Sequence, residues 1–237
     1  MLILGIDTTT KTASTAVVNF GGEKPRDFTV LSEMQSCGRI SHSENLMPMI
    51  DYTLKCAGVA LSEIDLFAVA NGPGSFTGIR IGVATVKGLA FGSDSNNCIG
   101  ISPLYALAYN FYGYNNIADF LILPAIDARR KQVYNSVFDS KLNYLKKDRI
   151  ITVGDLETEL NAEFAGRRAI FTGDGADMCY SEIDFAGKIQ VPEILKKPSA
   201  SSLCRIAYGS RPVHARALAP SYLIKTQAER EFDLHEK

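Results

Sequence analysis

Few residues of this sequence announce chemistry. The five cysteines, Cys37, Cys56, Cys98, Cys179 and Cys204, are odd in number, scattered and never spaced Cys-x-x-Cys, which excludes zinc ribbons and disulfide frameworks. The three histidines, His42, His214 and His235, are too dispersed for a helical metal pair, so no metal is expected. A net charge of −1 without a basic stripe argues against this chain gripping a nucleic-acid backbone alone. No apolar run nears the roughly 18–20 residues that span a bilayer. The opening run Met1 to Ile6 has no basic leader and meets Asp7 at once. The expectation is a reduced, cytoplasmic protein without membrane contact. With 46% hydrophobic and 22% charged residues, disorder and collagen-like classes are also excluded, and 237 residues suit one large domain or two small lobes.

What is present is punctuation. Asn71-Gly72-Pro73-Gly74-Ser75-Phe76-Thr77-Gly78-Ile79-Arg80-Ile81-Gly82 has the look of a phosphate loop. Thr77 stands where a dinucleotide fingerprint needs its third glycine, and no Gly-Lys-Ser/Thr closes a Walker pattern. Ser75 is flanked at two residues by Pro73 and Thr77, which excludes a nucleophile elbow. A tight turn remains, with Ser75 as N-cap of a helix over Phe76 to Phe91.

Apolar runs predict strands over Leu2–Ile6, Ala13–Phe20, Phe28–Met34, Leu66–Ala70 and Cys98–Ile101. A helix follows Ser41, whose spacing to Glu44 is that of a capping box; Pro48 lies inside it and must delay or kink it. Ser102 caps a further helix over Leu104 to Phe111. The order is that of a ribonuclease-H-like half-domain. Phe120–Ile126, Gln132–Phe138 and Tyr144–Val153 then echo the opening strands, and Asp127 closes its strand as Asp7 closes the first. The expectation is a duplicated, actin-like ATPase fold in the α/β class. Its first lobe covers 1–104, with 210–225 packing back on it; the second covers 105–209, and 226–237 is a polar tail.

Asp7 and Asp127 at strand ends stand where metal-nucleotide chemistry would use them, but neither is followed by a glycine-rich turn, which favours the capping of the turns that follow them. Gly173-Asp174-Gly175 is the candidate second phosphate turn. Asp7, Thr8, Asp127 and Gly173 outline a vestigial nucleotide cleft. Arg129 beside Asp127 reads as an intramolecular tie. Gly78 and Gly82 in a helix, where glycine costs about 1 kcal/mol against alanine, imply close backbone approach, to a neighbouring helix in the core or across an interface; the interface is favoured because Arg80 and Lys87 share a face. His42 suits a partner contact or a solvated first turn.

Four motifs then match a family: His42-Ser43-Glu44-x-Leu46-x-Pro48; Gly72 to Gly82; Asp127-Ala128-Arg129-Arg130 with Val133-Tyr134; and Pro220-x-Tyr222-Leu223. In order and spacing they resemble the bacterial TsaB (YeaZ) family, over nearly the whole chain. The resemblance implies a part in making threonylcarbamoyl-adenosine beside the anticodon of tRNAs that read codons starting with A. It implies a heterodimer with the transferase TsaD, support from the ATPase TsaE, tRNA contact only through the complex, and a homodimer when the partner is missing. TsaD-like proteins carry a metal-binding His-Leu-x-Ala-His segment; this chain has Pro103-Leu104-Tyr105-Ala106-Leu107, without the ligands.

The resemblance therefore implies a non-catalytic scaffold, without catalytic residues or metal and with at most weak ATP or ADP binding at the partner interface. Its two helices, roughly Ser43–Ala57 and Ser75–Phe91, would form that interface. His42, Glu44, Leu46, Pro48, Gly74, Ser75, Phe76, Thr77, Gly78, Arg80 and Gly82 are the contacts expected. Ile224-Lys225 departs from the usual Tyr-Leu-Arg ending, and Gln132 replaces a usual glutamate. The competing expectation is an autonomous ATP-dependent small-molecule kinase or a peptidase of the same fold.

Overall fold

Leu2–Asp7 (β1) is apolar up to its closing aspartate, and both of its faces are covered. Leu4 and Ile6 enter one core layer and Ile3 the opposite one, the two-residue alternation of a strand. The computed structural model describes residues 1–21, 27–38, 40–93, 95–114 and 119–223. The polar tail, Ile224-Lys225 and His235 lie outside the described residues.

The first lobe runs β1, β2 (Ala13–Phe20), β3 (Phe28–Ser36), α1 (His42–Ala57), β4 (Leu66–Ala70), α2 (Phe76–Phe91), β5 (Asn97–Ile101) and α3 (Pro103–Tyr109). The second repeats that order: β6 (Phe120–Asp127), β7 (Gln132–Phe138), β8 (Tyr144–Thr152), α4 (Val153–Glu163), β9 (Arg168–Thr172), α5 (Ala176–Glu182), β10 (Lys188–Ile189) and α6 (Ala200–Ala207). The two sheets read β11-β5-β4-β1-β2-β3 and β10-β9-β6-β7-β8, where β11 is Val213–His214. In both, an antiparallel meander is extended by two parallel strands. This is the duplicated, two-lobed actin-like fold.

Helices α1 and α2 cover one face of the first sheet through Leu46, Ile50, Ile79, Val83 and Val86. Pro48 sits within α1 without ending it; it removes one helical hydrogen bond at an exposed position. The Glu44 carboxylate accepts from the Ser41 amide at 3.4 Å and from its hydroxyl at 2.8 Å, which holds the helix start.

The closing helices cross between lobes. α3 packs on β6 and β7 of the second sheet, while α6, expected from the sequence to stay with the second lobe, packs on β1 and β2 of the first. Gly5 is the reason that α6 fits there. A Cβ at Gly5 would collide with the Ala200 carbonyl oxygen and come within 2.8 Å of Cys204 Sγ. The segment after α6 returns along the first sheet as β11, paired with β5, and ends as a strap over the glycine turn.

Candidate binding cleft and helix-pair face

The carboxyl ends of β1 and β6 face each other across the gap between the lobes. Asp7 ends β1 fully buried, and its Oδ1 accepts from the Thr9 amide at 2.8 Å and the Thr9 hydroxyl at 2.7 Å. Its Oδ2 has no partner among the described residues. Burial raises the Asp7 carboxyl above its ordinary value; the Thr9 bonds and nearby His42 pull it down, and Asp174 pushes it up. Asp127 ends β6 in the same manner, its Oδ1 accepting from the Arg129 amide at 2.7 Å. Both aspartates therefore cap the turns that follow them. The intramolecular tie expected of Arg129 is made by its backbone.

A cavity of about 510 Å³ opens between these turns. Its first-lobe wall is Thr9 to Lys11, His42 and the start of α2; its second-lobe wall is Ile126 to Arg129, Tyr134 and Asp174. Asp127 faces this space, whereas Asp7 and Thr8 are sealed beneath its floor. His42 Nε2 lies 2.7 Å from the Thr10 carbonyl oxygen, which can only accept, so the imidazole donates there. Gly173 lies behind Asp174, buried on the Ala125 carbonyl. Among the described residues no group of three or more His, Cys, Asp or Glu side chains is placed to hold a metal ion.

The N-terminus of α2 is fixed to the same floor. The Ser75 amide donates to the Thr9 carbonyl at 2.7 Å, and the Ser75 hydroxyl accepts from the Gly78 amide at 3.2 Å. Gly78 and Gly82 face inward, which corrects their assignment as partner contacts. A Cβ at Gly78 would strike the Thr8 carbonyl oxygen, and one at Gly82 would come within 2.7 Å of Thr8 Oγ1. Leu46 is corrected for the same reason: it is 1% exposed in the core beneath α1.

Phe76 and Arg80 are engaged within the chain. The Phe76 ring stacks on Tyr222 of the strap with centroids 4.4 Å apart, and the Arg80 guanidinium lies 4.0 Å from the Phe76 centroid. Arg80 Nε donates to the Tyr222 hydroxyl at 3.1 Å. Gly74, Ser75, Phe76, Thr77 and His42 thus line the cleft mouth, while Glu44 and Pro48 remain on the outer surface of α1.

The outer surface of the helix pair carries a different set. Along α2, Thr77, Ala84, Gly88 and Phe91 are exposed and Ile81 half-exposed, at the spacing of one helical stripe. Beside it α1 exposes Met47 and Tyr52, at 51% and 58%, and Phe91 is 51% exposed. The sequence signal for this stripe was present in the period of α2; it was masked by the more conspicuous inward glycines.

A family model described as TsaD, tRNA N6-adenosine threonylcarbamoyltransferase, matches residues 37–231. The curated protein of Escherichia coli named tRNA threonylcarbamoyladenosine biosynthesis protein TsaB is 38% identical over 134 residues, 56% of this chain and 53% of that protein. The Bacillus subtilis protein of the same name is 29% identical over 239 residues, 97% of this chain and 96% of that one. The solved structure titled YeaZ from Pseudomonas aeruginosa superposes with a TM-score of 0.74 at 25% identity, covering 94% of this chain and 99% of that one. The chain belongs to the TsaB (YeaZ) family. Its match to the Escherichia coli TsaB spans about half the length of that relative.

The TsaB motifs, far apart in sequence, meet in space. His42, the Gly74–Thr77 turn, Asp127 with Arg129, and Tyr134 border one cavity. Tyr134 also borders a small adjoining pocket with Phe76, Tyr222 and Leu223. Most residues of these four motifs thus build the cleft mouth or brace α2, and the helix-pair surface is presented by that bracing.

Proposed function

We propose that this chain is a non-catalytic activating subunit in the formation of tRNA threonylcarbamoyladenosine, beside the anticodon of tRNAs that read codons starting with A. It pairs through the outer surface of α1 and α2 with a TsaD-type transferase, works with the ATPase TsaE and meets tRNA only within that complex. The same surface forms a homodimer when the partner is missing. Any ATP or ADP binds weakly, at the partner interface.

The observation that carries this reading is the exposed stripe Thr77, Ile81, Ala84, Gly88 and Phe91 beside Met47 and Tyr52. Small residues at Ala84 and Gly88 let a second helix pair approach closely, and flanking Phe91, Met47 and Tyr52 supply the apolar area that a specific interface buries. Nothing lies within 4 Å of a Cβ built at Gly88, so the space above it is free.

The cleft chemistry fits a supporting role. At the positions where the paralogous transferase segment has its metal-binding histidines stand Pro103 and Leu107, whose side chains have no lone pair to offer. Leu107 is instead buried with Leu104 and Ile126. The donor set does not fit a metal.

Gly88→Arg and Ala84→Arg test the pairing, because each leaves the monomer core untouched and puts an unpaired charge into the proposed contact. Desolvating such a charge costs several kcal/mol, about two decades of affinity or more. Both variants are expected to fold, to lose co-purification with the TsaD-type partner and to lower threonylcarbamoyladenosine in tRNA nucleosides measured by mass spectrometry. Retained pairing in both variants would remove this surface from the proposal. Unchanged modified nucleoside after depletion of the protein would remove the function.

A further inference from the structure

Residues 213–222 run back along α2 for most of that helix's length. At one end the His214 ring meets Phe91 edge-on, with centroids 6.2 Å apart. One turn earlier in α2, the Lys87 ammonium donates to the Arg216 carbonyl at 3.3 Å and to the Leu218 carbonyl at 3.1 Å. At the other end Tyr222 covers Phe76. The order of the first sheet explains this layout: α1 lies over β2 and β3, α2 over β4, and β11 closes the opposite edge beyond β5. α2 is therefore bordered by α1 on one side and by the returning segment on the other.

The backbone holds the segment in place. Val213 and His214 pair with β5, and the amide of buried Ala215 donates to the Asn96 carbonyl at 2.9 Å. The Arg216 amide donates to His214 Nδ1 at 3.1 Å, so the proton of the neutral imidazole stands on Nε2. The Arg216 side chain is exposed and makes no ion pair among the described residues. The two borders of α2 thus differ in charge. On α1, Lys55 is neutralised by Asp51 at 3.1 Å. On the returning segment Lys87 meets carbonyls only and Arg216 is unpaired, which leaves that border positive.

We infer that the pairing face has a third strip, residues 213–218, which takes a partner surface bearing carboxylates opposite Lys87 and Arg216. Resting on the pairing proposed above, the strip adds to it the sign of the partner's charge. A protein seated on Ala84 and Gly88 meets Phe91, and His214 touches Phe91, so the strip stands at the rim of that contact. Charges at a rim steer approach and reject partners of the wrong sign more than they add to packing. A second copy laid with its α2 antiparallel on this one is related by a two-fold axis across the helices, which keeps both returning segments on the same side. Positive then meets positive, so the strip favours an acidic partner over that arrangement of copies.

Arg216→Glu reverses the charge of an exposed side chain and leaves both backbone bonds of residue 216 in place. Its association with the TsaD-type partner, using the full-length chain, is measured by surface plasmon resonance from low salt to about 1 M, where the Debye length falls to about 3 Å. At low salt the variant is expected to associate roughly tenfold more slowly than the wild type, and at 1 M within twofold of it. Arg216→Ala, which only removes the charge, should fall between them. Lys147→Glu, the same reversal at an exposed position of β8, should follow the wild type at every salt. Gly88→Arg separates the two readings. If it abolishes pairing while Arg216→Glu associates within twofold of wild type at low salt, the helix pair stands and the strip is overturned; if Gly88→Arg pairs normally, both fall. A loss in Arg216→Glu that salt does not screen would also overturn the strip, because charge is then not its cause. Tighter self-association of Arg216→Glu with unchanged affinity for the transferase would assign the strip to copies of this chain instead.

Discussion

The Thr8 hydroxyl donates to the Gly78 carbonyl at 2.7 Å, which lays the β1–β2 turn along the first turns of α2. The backbone contact is so close that no side chain fits between them. Gly78→Ala must push a helix away from a buried strand end, and such overpacking costs about 1–3 kcal/mol. Gly88, on the same helix but facing out, has nothing within 4 Å of a Cβ, and alanine there should gain about 0.5–1 kcal/mol of helix propensity. Urea unfolding of the two variants should therefore move the midpoint in opposite directions. Equal shifts would show that the inward placement of Gly78 is wrong.

That pair also shows what could be read from sequence and what could not. The apolar run Leu66–Ala70, the Ser75 cap and the helix Phe76–Phe91 follow from local pattern, and the structure has all three. The side of α2 on which its glycines lie depends on Thr8, some seventy residues earlier in the chain, and no local period reports it. The crossing of α6 onto the first sheet was hidden for the same reason: Gly5 reads as one small residue in an apolar strand until Ala200 is found against it. Asp174 could be noticed through its flanking glycines, but that its carboxylate accepts from the Asp127 amide, 47 residues earlier in the chain, could not.

Asp7 makes stability depend on pH. Its carboxyl is raised above the ordinary 3.8 chiefly by burial, so the folded protein holds this proton more tightly than the unfolded chain does. The resulting stabilisation is fully present below pH 3.8 and is lost as pH rises through the higher folded value. Asp7→Asn keeps an acceptor for the two Thr9 bonds and has no proton to lose. The stability difference between wild type and Asp7→Asn, measured by urea unfolding from pH 4 to pH 8, should shift toward the asparagine variant as pH rises. A difference independent of pH would mean that Asp7 ionises in the fold without penalty.

The thiols divide into two classes. Cys37 and Cys56 are exposed, while Cys98, Cys179 and Cys204 are buried. Burial pushes Cys98 up to about 11 and Cys179 up to about 12, and raises Cys204 well above the usual thiol value. The thiolate is the reactive form, so these three are protected both by access and by protonation. A thiol-disulfide reagent at pH 8 should label Cys37 and Cys56 rapidly in the native protein and the remaining three only after denaturant. Rapid native labelling of Cys204 would contradict the seating of α6 on β1.

The strap should act on α2 more than on the rest of the molecule. Ser221 donates its amide to the Asn71 carbonyl at 2.7 Å, the Asn71 side chain donates to Ala219 at 2.9 Å, and Tyr222 covers Phe76 while accepting from Arg80. Tyr222→Ala removes the stack and the charged hydrogen bond together, a loss of about 1–2 kcal/mol given that the ring is only partly covered. Tyr222→Phe keeps the stack and should lose about half of that. Because the strap is hydrogen-bonded to the glycine turn and to Arg80 of α2, amide protection in the first turns of α2 should fall in Tyr222→Ala while that of β6 and β9 changes only with global stability. Uniform loss of protection across both lobes would mean that the strap stabilises the chain as a whole and does not specifically brace the helix that presents Ala84 and Gly88.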